Sequence, residues 1–97
     1  MSAPYKYSKK AEADLIKIYQ DTFLEWGSAQ ADKYDKDLHQ TVLNLASNPK
    51  MGKECDWIKL GYRKFGCGRH VIFYKVRSKD IFITRILHGH MNFEEHL

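Results

Sequence analysis

Between Lys9 and Ser47 the sequence carries two apolar stripes of helical period, and only Gly27 and Ser28 separate them. In the first stripe Ala11, Leu15, Ile18, Tyr19, Thr22 and Trp26 recur at spacings of three and four. In the second, Ala31, Tyr34, Leu38, Thr41, Val42 and Leu45 do the same. Ser8 stands where an N-cap belongs, Gly27 ends the first helix, and Ser28 is placed to cap the second, which runs to Ser47 before Asn48 and Pro49 stop it. Two helices of this length joined by so short a link must lie antiparallel. Tyr19, Trp26 and Tyr34 fall on the stripes and are expected in the core, because burial is what stabilises a helix pair in water. Lys17, Asp21, Lys33 and Asp37 form the solvated face.

The flanking segments read as strands. Pro4 to Tyr7 is a short edge strand, since proline cannot donate to a central ladder. After a loop from Lys50 to Gly61, whose Trp57, Ile58 and Leu60 are expected to fold back on the core, come three runs rich in aromatic and β-branched residues: Tyr62 to Phe65, His70 to Val76 and Ile81 to Leu87. Gly66 and Gly68 supply a tight reversal between the first two, and Arg77 to Asp80 a charged turn between the last two. The expected fold class is therefore α+β, over a single domain spanning 1–97: an N-terminal edge strand, an antiparallel helical hairpin, then a three-stranded antiparallel meander. Strict alternation puts Ile72, Tyr74 and Val76 on one face and Val71, Phe73 and Lys75 on the other. It likewise sets Ile81, Ile83, Arg85 and Leu87 against Phe82, Thr84 and Ile86. The helices can cover one face, and no remaining element is large enough to cover the second, which points to a binding partner. The tail His90 to Leu97 adds one more turn over the sheet or stays mobile.

Charge is distributed unevenly. The net charge is +4, but residues 1–49 carry −1 and residues 50–97 carry +5, so the sheet half is the basic half. Such a surface suits an acidic partner. There is no apolar run long enough to span a membrane and no signal-peptide segment at MSAPYKYSKK, so a cytoplasmic location is expected. Cys55 and Cys67 lack zinc-site spacing and are expected to be incidental.

No phosphate loop, nucleophile elbow or metal-ligand motif is present, and neither a metal nor a cofactor is expected. All four arginines, Arg63, Arg69, Arg77 and Arg85, lie in the meander with His70, His88 and His90. Arg85, in the middle of an apolar strand, either pairs with a buried acid or faces a site. Clustered Arg63, Arg69, Arg85 and His88 would suit phosphodiester cleavage, with arginines stabilising the phosphorane and histidine moving the proton, and Arg63, Arg85 and His88 are the catalytic set if the chain is a nuclease.

The order strand, helical hairpin, meander, together with AEADL (11–15), WGSAQADKY (26–34), LASNPKMGK (45–53), GYRKF (61–65), HVIFYKV (70–76) and RILHGHM (85–91), resembles the ParE toxins of the RelE/ParE superfamily over nearly the whole chain. The resemblance implies the toxin of a bacterial type II toxin-antitoxin pair. Such a toxin inhibits DNA gyrase and blocks replication, and is neutralised by a ParD-type antitoxin whose acidic amphipathic C-terminal segment wraps it. It also implies that the toxin alone binds neither nucleic acid nor membrane. Target contacts would come from the C-terminal end, here Arg85, His88, His90 and Met91. The antitoxin would be met by Val71, Phe73 and Lys75, or by Ile72, Tyr74 and Val76 if the helices cover the opposite face. The sibling RelE branch cuts mRNA on the ribosome and usually carries a tyrosine near the C-terminus; beyond Tyr74 this chain has none, which favours gyrase over RNA. An endoribonuclease, and a degenerate toxin that only binds its antitoxin, are the alternatives.

Overall fold

A computed structural model describes residues 4–97. Strand β1 (Tyr5–Tyr7) leads into helices α1 (Lys9–Trp26) and α2 (Ser28–Ser47). A 3-10 turn (Pro49–Met51) and strands β2 (Lys53–Glu54), β3 (Arg63–Cys67), β4 (His70–Val76) and β5 (Ile81–His88) follow, then a short helix α3 (Phe93–His96). The five strands form one sheet in the order β1-β5-β4-β3-β2. All neighbours are antiparallel except β1 and β5, which pair in parallel with Tyr5 beside Ile81 and Tyr7 beside Ile83.

The helical hairpin matches the sequence pattern, and its turn rests on Gly27. This residue sits at φ +90°, a conformation that side-chain-bearing residues rarely adopt, and its N–H donates to Phe23 O. Gly27 also precedes α2 directly, so Ser28 is the first helical residue and not its cap, and no side chain caps that end. Ser8 does cap α1. Its Oγ accepts from Ala11 N at 2.9 Å and its hydroxyl donates to Thr84 O at 2.7 Å, so one side chain sets the helix start against β5.

Ala11, Leu15 and Ile18 of α1 and Leu38, Val42 and Leu45 of α2 pack on Ile72, Tyr74, Ile81, Ile83 and Ile86 of the sheet. Each large aliphatic side chain buried there contributes about 1.5–3 kcal/mol. The α1 stripe outruns the sheet: Trp26 lies past its end and is 57% exposed, contrary to the core position its spacing suggested.

The strands depart from strict alternation at one point. Tyr74 pairs with Ile83 but Phe73 pairs with Arg85, which leaves Thr84 as an extra residue on β5. The bulge reverses the facing of everything after it. Ile86 joins Ile81 and Ile83 on the helix side, while Arg85 and Leu87 turn to the face of Val71 and Phe73. Thr84 Oγ1 donates to Phe73 O at 3.0 Å, satisfying the carbonyl beside the irregularity.

The second face is not bare. Cys55, Tyr62, Phe73 and Leu87 form a smaller buried cluster, covered by Ile58 from the loop and by Phe93 and Leu97 from α3. The loop expectation is thus corrected in detail: Cys55 and Tyr62 fold inward with Ile58, whereas Trp57 and Leu60 are 68% and 80% exposed. Part of that loop is strand β2, and β3 extends through Gly66 to Cys67, so the β3–β4 reversal is made by Gly68 and Arg69 alone. Gly68 has φ +59°, matching a hairpin turn with glycine at the first central position.

Candidate functional site

Two regions hold the residues singled out in the sequence. One lies at the end of the sheet where β5 stops, the other on the face turned away from the helices.

At the first, His88 closes β5 opposite His70, the first residue of β4, and the two rings meet edge to face with centroids 5.3 Å apart. His90 follows with its ring 4.9 Å from His88. The backbone N–H of His90 donates to His88 Nδ1 at 3.3 Å, which places the proton of a neutral His88 on Nε2. Beside them Tyr34, from α2, accepts from Arg69 N at 3.0 Å and lies 2.7 Å from His70 Nδ1 and 3.1 Å from Cys67 O. This hydroxyl therefore staples the β3–β4 turn to the helical hairpin. Burial, reinforced by the neighbouring His88 and Arg69, lowers the pKa of His70 and keeps it neutral; burial raises that of Tyr34. Met91 follows, its backbone N–H donating to His88 O at 3.0 Å and its side chain 40% exposed.

Tyr34, His70 and His88 border a cleft of about 720 Å³ between the sheet end and the C-terminal half of α1. Asp21, Glu25 and Trp26 line its far wall, and Arg69 reaches across it. The Arg69 guanidinium carbon is 5.8 Å from the Trp26 ring centroid, and a guanidinium nitrogen is 4.0 Å from Glu25 Oε1. Sequence reasoning missed Trp26 as a cleft residue, and it grouped Arg69 with the other meander arginines, not with α1. The legible signal was the helix length, since an 18-residue helix on so short a sheet must overhang it.

The two other arginines of the nuclease set are engaged elsewhere. Arg63 donates to Gly52 O at 2.7 Å and to Glu54 Oε1 at 3.1 Å, holding the β2 region against β3. Arg85 forms a bidentate pair with Asp14 and donates to His96 O at 3.0 Å; of the two outcomes open for it, it takes the pairing with an acid. By their cross-strand partners, Tyr74 for Arg63 and Phe73 for Arg85, they project from opposite faces. Arg63, Arg85 and His88 are therefore not brought together. Among the described residues no group of three or more potential ligands is arranged to hold a metal, and no helix is long and apolar enough to cross a membrane.

On the second face Val71, Phe73 and Lys75 do share one side. Val71 is half-buried and Lys75 exposed, but Phe73 is fully buried under Phe93, their rings 4.9 Å apart, and presents no free surface. The alternative set Ile72, Tyr74 and Val76 is on the helix side, where Ile72 and Tyr74 belong to the main core.

The architecture and sequence agree with known proteins. Toxin ParE1 of Mycobacterium tuberculosis (strain ATCC 25618 / H37Rv) is 38% identical over the full length of both chains. Toxin ParE1 of Caulobacter vibrioides is 38% identical over 97% of each, and Toxin ParE of Escherichia coli 32% identical over 91% of this chain and 86% of its own. A solved structure described as the chromosomal ParDE TA system from P. aeruginosa superimposes with a TM-score of 0.75 at 27% identity, covering 87% of this chain and 92% of that one. The model of the ParE toxin of the type II toxin-antitoxin system, parDE, matches residues 5–93, and the chain belongs to that family.

Proposed function

We propose that this single-domain toxin acts in the cytoplasm by inhibiting DNA gyrase and so blocking replication, and that a ParD-type antitoxin neutralises it through an acidic amphipathic segment. The carrying observation is the dispersal of Arg63, Arg85 and His88. Phosphodiester cleavage needs charge stabilisation and proton transfer within a few ångströms of one phosphate. Here Arg63 and Arg85 are spent on Glu54 and Asp14 from opposite sides of the sheet. A toxin built this way acts by binding its target and not by cutting RNA. The target surface is the rim of His88, His90 and Met91, which Arg85 supports by fixing the end of β5. The second face, basic and turned away from the helices, takes the antitoxin around Val71 and Lys75.

Purified toxin in a gyrase supercoiling and cleavage assay, beside a translating-ribosome mRNA cleavage assay, tests this. The expected result is lost supercoiling or trapped cleavage complexes with intact mRNA. Cut mRNA with unaffected gyrase overturns it in favour of a nuclease. Intact mRNA with unaffected gyrase leaves only antitoxin binding.

A further inference from the structure

The cleft at the end of the sheet has an acidic wall, in a chain whose net charge is +4. Asp21 and Glu25 of α1 supply two carboxylates, and the lining holds one arginine, Arg69, and no lysine. Lys17 claims Asp21 at 3.1 Å, whereas Glu25 has Arg69 at 4.0 Å as its partner. Trp26 stands beside Glu25 with 57% of its surface exposed, although it belongs to the apolar stripe of the helix.

Arg69 lies between these two groups and is gripped by neither. The other three arginines of the chain each hold a carboxylate at 2.6 to 3.1 Å. The guanidinium of Arg69 stays beyond hydrogen-bond distance of Glu25, and its carbon is 5.8 Å from the Trp26 ring centroid, at the outer reach of a cation–π contact. The side chain is 65% exposed. What fixes Arg69 is its backbone N–H, which donates to Tyr34 Oη at 3.0 Å, so the β3–β4 turn does not depend on the guanidinium. A tryptophan face and a carboxylate are thus set side by side for a planar cation, and the chain fills that seat loosely with its own.

We propose that this cleft receives an arginine side chain of the target protein, which displaces Arg69 from Trp26 and Glu25. The incoming guanidinium stacks on the indole and pairs with Glu25, while His70 and His88 form the opposite wall. This rests on the gyrase reading above, in which His88 belongs to the contacting rim, and adds the residues and the chemistry of a pocket beside that rim. At about 720 Å³ the cleft admits an arginine with some of its flanking backbone. Lysine fits less well, because a planar guanidinium can stack on a ring while its edge meets a carboxylate and an ammonium cannot. A phosphate group meets two carboxylates here with one arginine to offset them. A loose internal occupant lowers the apparent affinity by the fraction of time the seat is free, about 3–10-fold for an exposed ion pair with a weak cation–π contact.

The test titrates N-acetyl-arginine amide into isotope-labelled wild-type, Arg69→Ala and Glu25→Gln toxin, with inorganic phosphate as the second probe. Gyrase supercoiling inhibition is measured for the same proteins and for Trp26→Ala. The backbone amide signals of Thr22, Gln30 and Gly68 are expected to shift with roughly millimolar affinity in wild type, about 3–10-fold more tightly in Arg69→Ala and about 3-fold more weakly in Glu25→Gln. Arg69→Ala should inhibit gyrase at about 3–10-fold lower concentration. Trp26→Ala and Glu25→Gln should need about 10-fold more, at unchanged melting temperature. Arg69→Ala that binds the probe or inhibits gyrase less well than wild type overturns the displacement and makes Arg69 itself the contact. Probe binding with inhibition unaltered in all three variants overturns the target arginine. Shifts caused by phosphate and not by the arginine amide, or by neither, overturn the cleft as a guanidinium site. Wild-type toxin that leaves gyrase unaffected overturns the gyrase reading, and the probe shifts then decide the cleft on their own.

Discussion

The carboxylate of Asp14 in α1 clamps Arg85 of β5 from a separation of 71 residues, at 2.8 Å to Nε and 2.9 Å to Nη2, and the same oxygen that meets Nε accepts the backbone N–H of Ile86 at 3.0 Å. Beyond Tyr7 the outer edge of β5 has no strand beside it, and this carboxylate caps the amide that β1 is too short to reach. Removing it strands a guanidinium that is only 18% exposed as well as an edge donor. Asp14→Ala is therefore expected to cost about 2–3 kcal/mol, read as a lower urea midpoint at unchanged slope. Arg85→Ala should lower the midpoint too, so any loss of toxicity in it must be corrected for folded fraction. A midpoint within experimental error of wild type for Asp14→Ala would show the clamp to be ornamental.

His70 predicts a pH dependence. Burial and the adjoining His88 and Arg69 hold its folded-state pKa below the ordinary 6.5, with Asp21 and Asp14 opposing weakly and the Tyr34 hydroxyl on Nδ1. Above pH 6.5 the ring is neutral folded and unfolded, and its contribution is fully present. As pH falls below that value the unfolded chain takes up the proton first, so stability drops. Melting curves between pH 7.5 and 5.5 should show a decline that is shallower in His70→Gln; equal slopes in the two proteins would refute it.

Gly52 and Tyr74 form a second test pair. The Tyr74 hydroxyl accepts from Gly52 N at 2.9 Å and donates to Pro49 O at 2.6 Å, and a Cβ on Gly52 would collide with the tyrosine ring. Tyr74→Phe leaves both backbone groups unpaired, at about 1–3 kcal/mol. Gly52→Ala should cost about 1–3 kcal/mol through displacement of the ring. Chemical denaturation reads both, and the double variant should cost less than their sum, because each disturbs the same contact.

Trp26 and Leu38 should diverge sharply despite their shared place on helical stripes. Leu38 is 1% exposed, and its truncation to alanine is expected to cost about 2–5 kcal/mol; Trp26→Ala, at 57% exposure, should stay within about 0.5 kcal/mol. A large loss for Trp26→Ala in thermal unfolding would mean that the cleft wall is part of the core.

The two cysteines offer a simple chemical reading. Cys55 is completely buried in the smaller cluster and its thiol pKa is pushed up by burial, whereas Cys67 is partly accessible. Ellman's reagent should titrate Cys67 in the native protein and Cys55 only after denaturation. Rapid reaction of both without denaturant would contradict the covered second face.

The helical hairpin was legible because period, cap and breaker agree: Ser8, the two stripes and Gly27 each point to the same element. The sheet was legible in its strands but not in its facings. Nothing in IFITRIL marks Thr84 as the bulged residue, because threonine suits a strand, and the irregularity is fixed by Ser8 and Phe73 from elsewhere in the chain. Strand β2 escaped notice because two exposed residues, Lys53 and Glu54, carry no period at all. The candidate site was legible as a list of types and not as a constellation. Arginines concentrated in one stretch of sequence end on opposite faces, and only the register and the ion pairs with Glu54 and Asp14 reveal that they are structural.

The parallel pairing of β1 with β5 joins the first strand to the last. A chain interrupted before Ile81 lacks the strand that both β1 and β4 need, and its hairpin has half a floor to pack on. Contacts of such long sequence separation form late, so the molecule gains its complete fold only once β5 has been made. Fragments that stop before Ile81 therefore lack the sheet end at which His88 of β5 meets His70 of β4.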